Sequence, residues 1–279
     1  MLTVKPDRPI EPNVLAVLKH LLAVTKALGV QYLMIGAKAL DIQLHNVYGL
    51  PTYRPTNDTD FAVALENWGQ FETLKDSLVK TGHFTPDNHK TQRVWYDRGV
   101  PVDLVPFGGL EEPYGTISWP PDSSQIMTVR GFAEINSAAE EIPIPESGSA
   151  LRIAPLPGLA VLKIFAWNDR LETRDVWDIA ALTQNYNLIV AEPRIFQDEQ
   201  LSKSVGYDAV KAGAVLLGKD AAAIVNPSTL SAAQKILAVQ IRRGNFVAQF
   251  ASGLKSVDPD KQLSTAEELL RAFLIGFSK

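Results

Sequence analysis

With 279 residues, 30.6 kDa, 46% hydrophobic and 21% charged side chains, the chain can bury one large core or two smaller ones. A net charge of −4 and a pI near 5.6 exclude an extended basic surface for coating nucleic acid, but leave room for a local patch such as Lys163, Arg170 and Arg174, with Arg242-Arg243 further on. The absence of cysteine rules out disulfides, thiolate metal sites and thiol nucleophiles. The apolar runs are too short to span a bilayer, and the charged, proline-bearing start is unlike a signal peptide, so a cytoplasmic protein with no membrane partner is expected.

Val14 to Leu28 reads as an amphipathic helix, with Leu15, Leu18 and Leu22 on one face and Gly29 as its stop. Gln31 to Ile35 reads as a short strand, and Gly36 as a tight turn into a helix over Lys38 to Val47. A loop with Pro51 and Pro55 leads to a buried strand that opens at Asp58. Trp68 to Thr81 reads as a helix ended by Gly82. Arg93–Tyr96 and Val100–Pro106 read as a strand pair turning at Asp97-Arg98-Gly99.

Gly108 to Pro121 is rich in Gly and Pro and is expected to be a loop. Short strands are expected near Ile126–Val129, Glu141–Pro145 and Leu151–Ala154, with a turn at Glu146-Ser147-Gly148-Ser149. Beyond Pro157 the periodicity is helical, with helices at Leu159–Trp167, Val176–Tyr186, Tyr207–Leu217, Ser231–Ile241 and Thr265–Phe277. The expected fold class is α+β: a small mixed sheet flanked by helices over 1–155, then a helical domain over 156–279.

Asp58 and Asp60 carry the chemistry. On a strand they share one face and Thr59 takes the other. Paired carboxylates at the edge of a core are costly without a positive partner, and a divalent ion carrying a triphosphate supplies one. The Asp258-Pro259-Asp260 pair has the same spacing but lies in a polar loop, and so marks how weak that spacing is alone. Asp103 interrupts an apolar run and points away from its neighbours; on an adjacent strand it would join the metal or act as general base. Gly36, opening a helix after a strand, would present backbone N–H groups to phosphate. Lys163, Trp167, Arg170, Arg174 and Asp178 recur at steps of three or four, as on one helical face, although Asp175 and Asp178 also suit the acidic start of a new helix. The four histidines show no metal-ligand spacing.

These blocks resemble the nucleotidyltransferase superfamily of the DNA polymerase β type, and within it the abortive-infection AbiEii-like toxins. The resemblance covers Tyr32 to Tyr186 and rests on Ile35-Gly36-Ala37, on Arg54-x-Thr56-x-Asp58-x-Asp60, on Val102-Asp103-Leu104 and on Lys163 through Arg170, Arg174-Asp175 and Asp178. It implies that Asp58, Asp60 and Asp103 hold Mg²⁺, or Mn²⁺ in its place. It further implies that Gly36 cradles the triphosphate, that Lys163 meets its phosphates and that Asp178 holds the lysine, with Ala37, Arg54, Thr56, Arg170 and Arg174 as further residues of the nucleotide site. Ala37 stands where Ser or Gly is usual, and Arg174 where lysine is common. The implied activity is transfer of an NMP from an NTP to an acceptor hydroxyl with release of pyrophosphate, on tRNA in a toxin–antitoxin setting with a cognate antitoxin. The alternatives are a small-molecule acceptor of the antibiotic type, a protein acceptor, or a non-catalytic nucleotide-binding regulatory module.

Overall fold

A computed structural model describes residues 2–52, 54–144, 148–242 and 245–278. The expected turn residues Glu146 and Ser147, and Arg243 of the candidate patch, lie outside them. The chain divides into two compact units, Met1–Pro155 and Leu156–Lys279. Among the described residues no helix is long and apolar enough to cross a membrane.

In the first unit α1 (Pro12–Leu28) starts with proline in its first turn and ends at Gly29, whose φ of 66° is the left-handed stop expected there. β1 (Gln31–Ile35) runs directly into α2 (Gly36–Asp41), which widens into a π-helical turn over Ile42–Val47. The single α-helix expected from Lys38 to Val47 is therefore two segments of different pitch. Tyr48 N donates to Gln43 O, and the buried Gln43 side chain reaches Ala154 O at 2.8 Å. π turns of this kind recur at functional sites. β2 (Thr59–Leu65) begins just after Asp58 and is followed by α3 (Trp68–Lys80), capped by the Asn67 side chain on Gln70 N.

β3 (Phe84–Pro86), missed for its brevity, pairs with β4 (Arg93–Tyr96). The latter turns through Asp97 and Arg98, both at positive φ, into β5 (Val100–Gly108). The expected loop of Gly108–Pro121 contains β6 (Thr116–Trp119), paired with β7 (Gln125–Thr128) in a separate hairpin. The alternation that buries Ile117 and Trp119 was obscured by the flanking Gly and Pro residues. A short α4 (Phe132–Ser137) leads to β8 (Glu140–Ile144) and β9 (Ser149–Ile153). The main sheet has the order β3-β4-β5-β2-β1-β9-β8. It is mixed: β2 is parallel to β5 and antiparallel to β1, and β1 is parallel to β9.

The second unit is helical, as expected. α5 (Leu156–Arg170) and α6 (Thr173–Asn185) are followed by two short helices that the periodicity did not reveal, α7 (Glu192–Phe196) and α8 (Glu199–Ser204). Then come α9 (Ala209–Ile224), α10 (Pro227–Arg242), the unforeseen α11 (Asn245–Gly253) and α12 (Gln262–Phe277). Asp258 caps a single 3-10 turn over Pro259–Lys261, in keeping with its reading as a polar loop. Gly218 of α9 and Gly276 of α12 let these two helices touch backbone to backbone. A Cβ on Gly218 would overlap Phe273 O, and one on Gly276 would overlap Val215 O.

Candidate active site

Strand register builds the acidic cluster. Asp60 of β2 is level with Asp103 of the parallel strand β5, and Asp103 is level with Arg93 of the antiparallel strand β4. Residues level across adjacent strands share a face and lie within side-chain reach. One row of the sheet therefore reads Arg93, Asp103, Asp60, Ile35, with Gly36 the next residue after Ile35. Thr59 is fully buried on the other face while Asp58 and Asp60 stay partly accessible, which is the division that period-two alternation requires.

Gly36 is shaped by this row. Its φ is 77°, and a Cβ there would overlap Asp60 Oδ2 while lying 2.8 Å from Asp60 Cγ and 3.0 Å from Asp60 Cβ. The Asp60 carboxylate is laid against a Cα that carries no side chain and so can accept it. Ala37 is buried within α2, and Arg54 and Thr56 lie half-buried in the loop ahead of β2.

Arg93 is the residue that sequence reasoning missed. Its Nε and Nη2 donate to Asp103 Oδ1 at 2.7 Å and Oδ2 at 2.8 Å, a two-pronged fork, and Nη2 lies 3.7 Å from Asp58 Oδ1. The hydrogen bonds to Asp103, with the charges of Asp103, Asp58 and Asp60, hold the guanidinium well above its ordinary pKa despite burial. The signal was available in the sequence: Asp97-Arg98-Gly99 as a hairpin turn places Arg93 opposite Asp103. Behind Arg93, Trp95 lies with its ring centre 5.7 Å from the guanidinium carbon and donates its indole N–H to Asp87 Oδ2 at 2.7 Å. Asp87 also accepts from the backbone N–H groups of His89 and Lys90, and these bonds with that of Trp95 pull its pKa from 3.8 to about 2.

The donor set suits a divalent ion. Asp58, Asp60 and Asp103 are hard oxygen ligands of the kind Mg²⁺ takes, and the charges of all three already act on one cation, Arg93. Among the described residues no three carboxylate or histidine groups stand gathered as a ready metal cage. Arg93 occupies both oxygens of Asp103.

The second unit holds a cluster of its own. The expected single stripe is divided: Lys163, Trp167 and Arg170 lie on α5, and Arg174 and Asp178 on α6, with Leu171 at φ 53° breaking the helix between them. Lys163 is buried, 3.1 Å from Asp175 Oδ1 and 2.6 Å from Asp178 Oδ2. Arg170 forks onto Asp175 at 2.6 and 2.7 Å. Burial alone would raise the Asp175 carboxyl, yet the Arg170 bonds and the Lys163 charge hold it below its ordinary value. Arg174 is half exposed and pairs with Glu172. Trp167 is buried edge-on against Phe246, its indole N–H on Gln249.

Residues 21–203, well over half of the chain, match the family model for the nucleotidyl transferase AbiEii toxin of type IV toxin–antitoxin systems. A search of curated protein sequences gives no match. Among solved structures, the antibiotic-resistance factor ANT(2'')-Ia is similar at 11% identity over 84% of this chain and 99% of its own, with a TM-score of 0.40. An antigenic nucleotidyltransferase-like protein from Paracoccidioides brasiliensis is similar at 18% identity over 73% and 95%, also with a TM-score of 0.40. The CdnC protein of E. coli MS115-1, solved with ATP, is similar at 15% identity over 96% and 91%, with a TM-score of 0.30.

Proposed function

The chain belongs to the AbiEii nucleotidyltransferase family, and from that premise we propose that it moves an NMP from an NTP to the hydroxyl of an RNA, with tRNA as the first candidate. The observation that carries the reading is the register that sets Asp60 beside Asp103 and lays the Asp60 carboxylate on Gly36. Asp58, Asp60 and Asp103 would hold Mg²⁺ or Mn²⁺. Such an ion supplies charge stabilisation to the attacking and leaving oxygens of an in-line displacement.

The protein's own groups do the rest. Gly36 lets the chain pass close to Asp60, and its turn, with Ala37, Arg54 and Thr56, would line the nucleotide. Asp103, once a prong of the Arg93 fork opens, would accept the proton of the attacking hydroxyl at Oδ1 or Oδ2. For Lys163 the family resemblance is the ground for a role with the phosphates and for Asp178 the ground for holding it, while Arg170 and Arg174 enter by their cationic spacing. Their present bonds make Asp175 and Asp178 the groups that fix the lysine and Arg170. The type IV toxin–antitoxin family implies a cognate antitoxin as partner, and we place the reaction in the cytoplasm.

The test is incubation of the purified protein with each α-³²P-labelled NTP, Mg²⁺ and total tRNA, beside an Asp58→Ala/Asp60→Ala control. Label on RNA from the wild type alone is the expected result and names the nucleotide. Metal-dependent NTP binding without RNA labelling would replace RNA by a small-molecule or protein acceptor.

A further inference from the structure

We infer that Arg93 is a resident counter-cation of the carboxylate row, which keeps free divalent ions out until a nucleotide arrives to take over its guanidinium. The inference rests on the metal reading of Asp58, Asp60 and Asp103 and goes beyond it, because it assigns a role to a residue outside the metal ligands. Three observations support it. Arg93 forks onto both oxygens of Asp103 and stands 3.7 Å from Asp58, so it occupies the direction from which an ion would approach those two carboxylates. Its side chain is 12% exposed, and this little-hydrated charge is not replaced by water alone when it leaves. It is seated on Trp95, itself anchored by Asp87, so its resting place is built by the β3–β4 hairpin and not by chance packing of a long surface side chain.

The physical consequence is competition. A divalent ion and a guanidinium about 6 Å apart repel enough, even at the dielectric of water, to change affinity about tenfold. A triphosphate offers the guanidinium a better bidentate partner than a carboxylate already shared with a metal. Binding of nucleotide and binding of the ion are then coupled through Arg93, and by linkage each raises the affinity of the other. Arg93 acts here as a substrate-contacting residue that sets the affinity for the ion.

The experiment is Mn²⁺ titration, read by electron paramagnetic resonance, of wild type, Arg93→Gln and Arg93→Lys. Each is titrated with and without a non-hydrolysable NTP analogue, and folding is checked by circular dichroism. Expected are weak Mn²⁺ binding by the wild type alone, binding about tenfold tighter in Arg93→Gln, and a nucleotide-induced gain in Mn²⁺ affinity that is about tenfold larger in the wild type than in Arg93→Gln, the part common to both coming from the phosphates' own bonds to the ion. Arg93→Lys keeps the charge without the fork and should stay nearer the wild type. Should Arg93→Gln not fold, the wild type decides: a nucleotide-induced gain in Mn²⁺ affinity no larger than the analogue's own affinity for Mn²⁺ in protein-free solution accounts for overturns the inference. Equal or weaker Mn²⁺ binding in a folded Arg93→Gln overturns it too. Absence in every protein of Mn²⁺ binding beyond that of the protein-free analogue, with nucleotide present, would instead sink the metal reading beneath it.

Discussion

Replacing Gly36 by alanine separates backbone strain from displacement of a carboxylate. At φ 77° any L side chain sits in the left-handed region, which costs about 1–2 kcal/mol. At Gly29, with φ 66°, an added Cβ would meet nothing within 4 Å, so Gly29→Ala carries the strain alone. In Gly36→Ala the new methyl would lie 2.8 Å from Asp60 Cγ and 3.0 Å from Asp60 Cβ, besides overlapping Oδ2. Rotating the carboxylate away clears Oδ2 and Cγ but not the Cβ, so β2 must also give by a few tenths of an ångström. Both variants should lose about 1–2 kcal/mol in urea denaturation, Gly36→Ala somewhat more. Nucleotidyl transfer should hold in Gly29→Ala and fall about a hundredfold in Gly36→Ala, the usual effect of misplacing a reacting group by an ångström. A Gly36→Ala enzyme that transfers within a few-fold of wild type would refute the claim that Asp60 works from this seat.

Asp60→Asn should reduce label transfer by about a hundredfold or more while leaving urea stability within about 1 kcal/mol, because the group is partly accessible; a large stability loss would make Asp60 a fold residue instead. Lys163→Met leaves Asp175 and Asp178 buried with one partner fewer, and differential scanning calorimetry should show a loss of about 3–5 kcal/mol, partly restored by adding Asp178→Asn. Asp87 has a depressed folded pKa, so its stabilising contribution is complete above about pH 4 and disappears as the pH falls towards about 2. An NMR titration following the Trp95 indole N–H should therefore have its midpoint near 2; a midpoint near 3.8 would deny the bond between them.

The carboxylates were legible because a charge inside an apolar strand pattern is conspicuous: Asp58 and Asp60 ahead of Phe61-Ala62-Val63, and Asp103 between Val102 and Leu104. Strand period then gave their facing without any tertiary knowledge. Arg93 was not legible in the same way, since arginine at the start of a strand is ordinary, and its meaning appears only when the hairpin register sets it opposite Asp103. A break between Trp167 and Val176 was expected from two separate helical runs, but its place just after Arg170 was not. Leu171 adopts a positive φ with no glycine to announce it, so residues on two helices kept a spacing that one helix would also satisfy. The short helices α7, α8 and α11 fall below the length at which periodicity separates from chance.

The two clusters solve the problem of buried charge in different ways. In the second unit Lys163 and Arg170 face Asp175 and Asp178, and each cation bonds directly to a buried carboxylate. Such a set costs desolvation but is matched sign for sign, which is the behaviour of a brace. In the first unit Asp58, Asp60 and Asp103 all act on the guanidinium of Arg93, whose fork is spent on Asp103. A fold that merely needed its strands joined would gain from replacing such carboxylates with apolar or neutral groups. Keeping three of them around one guanidinium's field, with a glycine beneath Asp60 to let it sit there, is intelligible if their charge is matched to a dipositive ion that comes and goes with substrate. By the same reasoning Asp103→Asn, which removes one of the three charges and weakens the Arg93 fork, should lower Mn²⁺ affinity in the presence of nucleotide about tenfold or more. An unchanged affinity would mean that the charge of these carboxylates is not what the ion responds to.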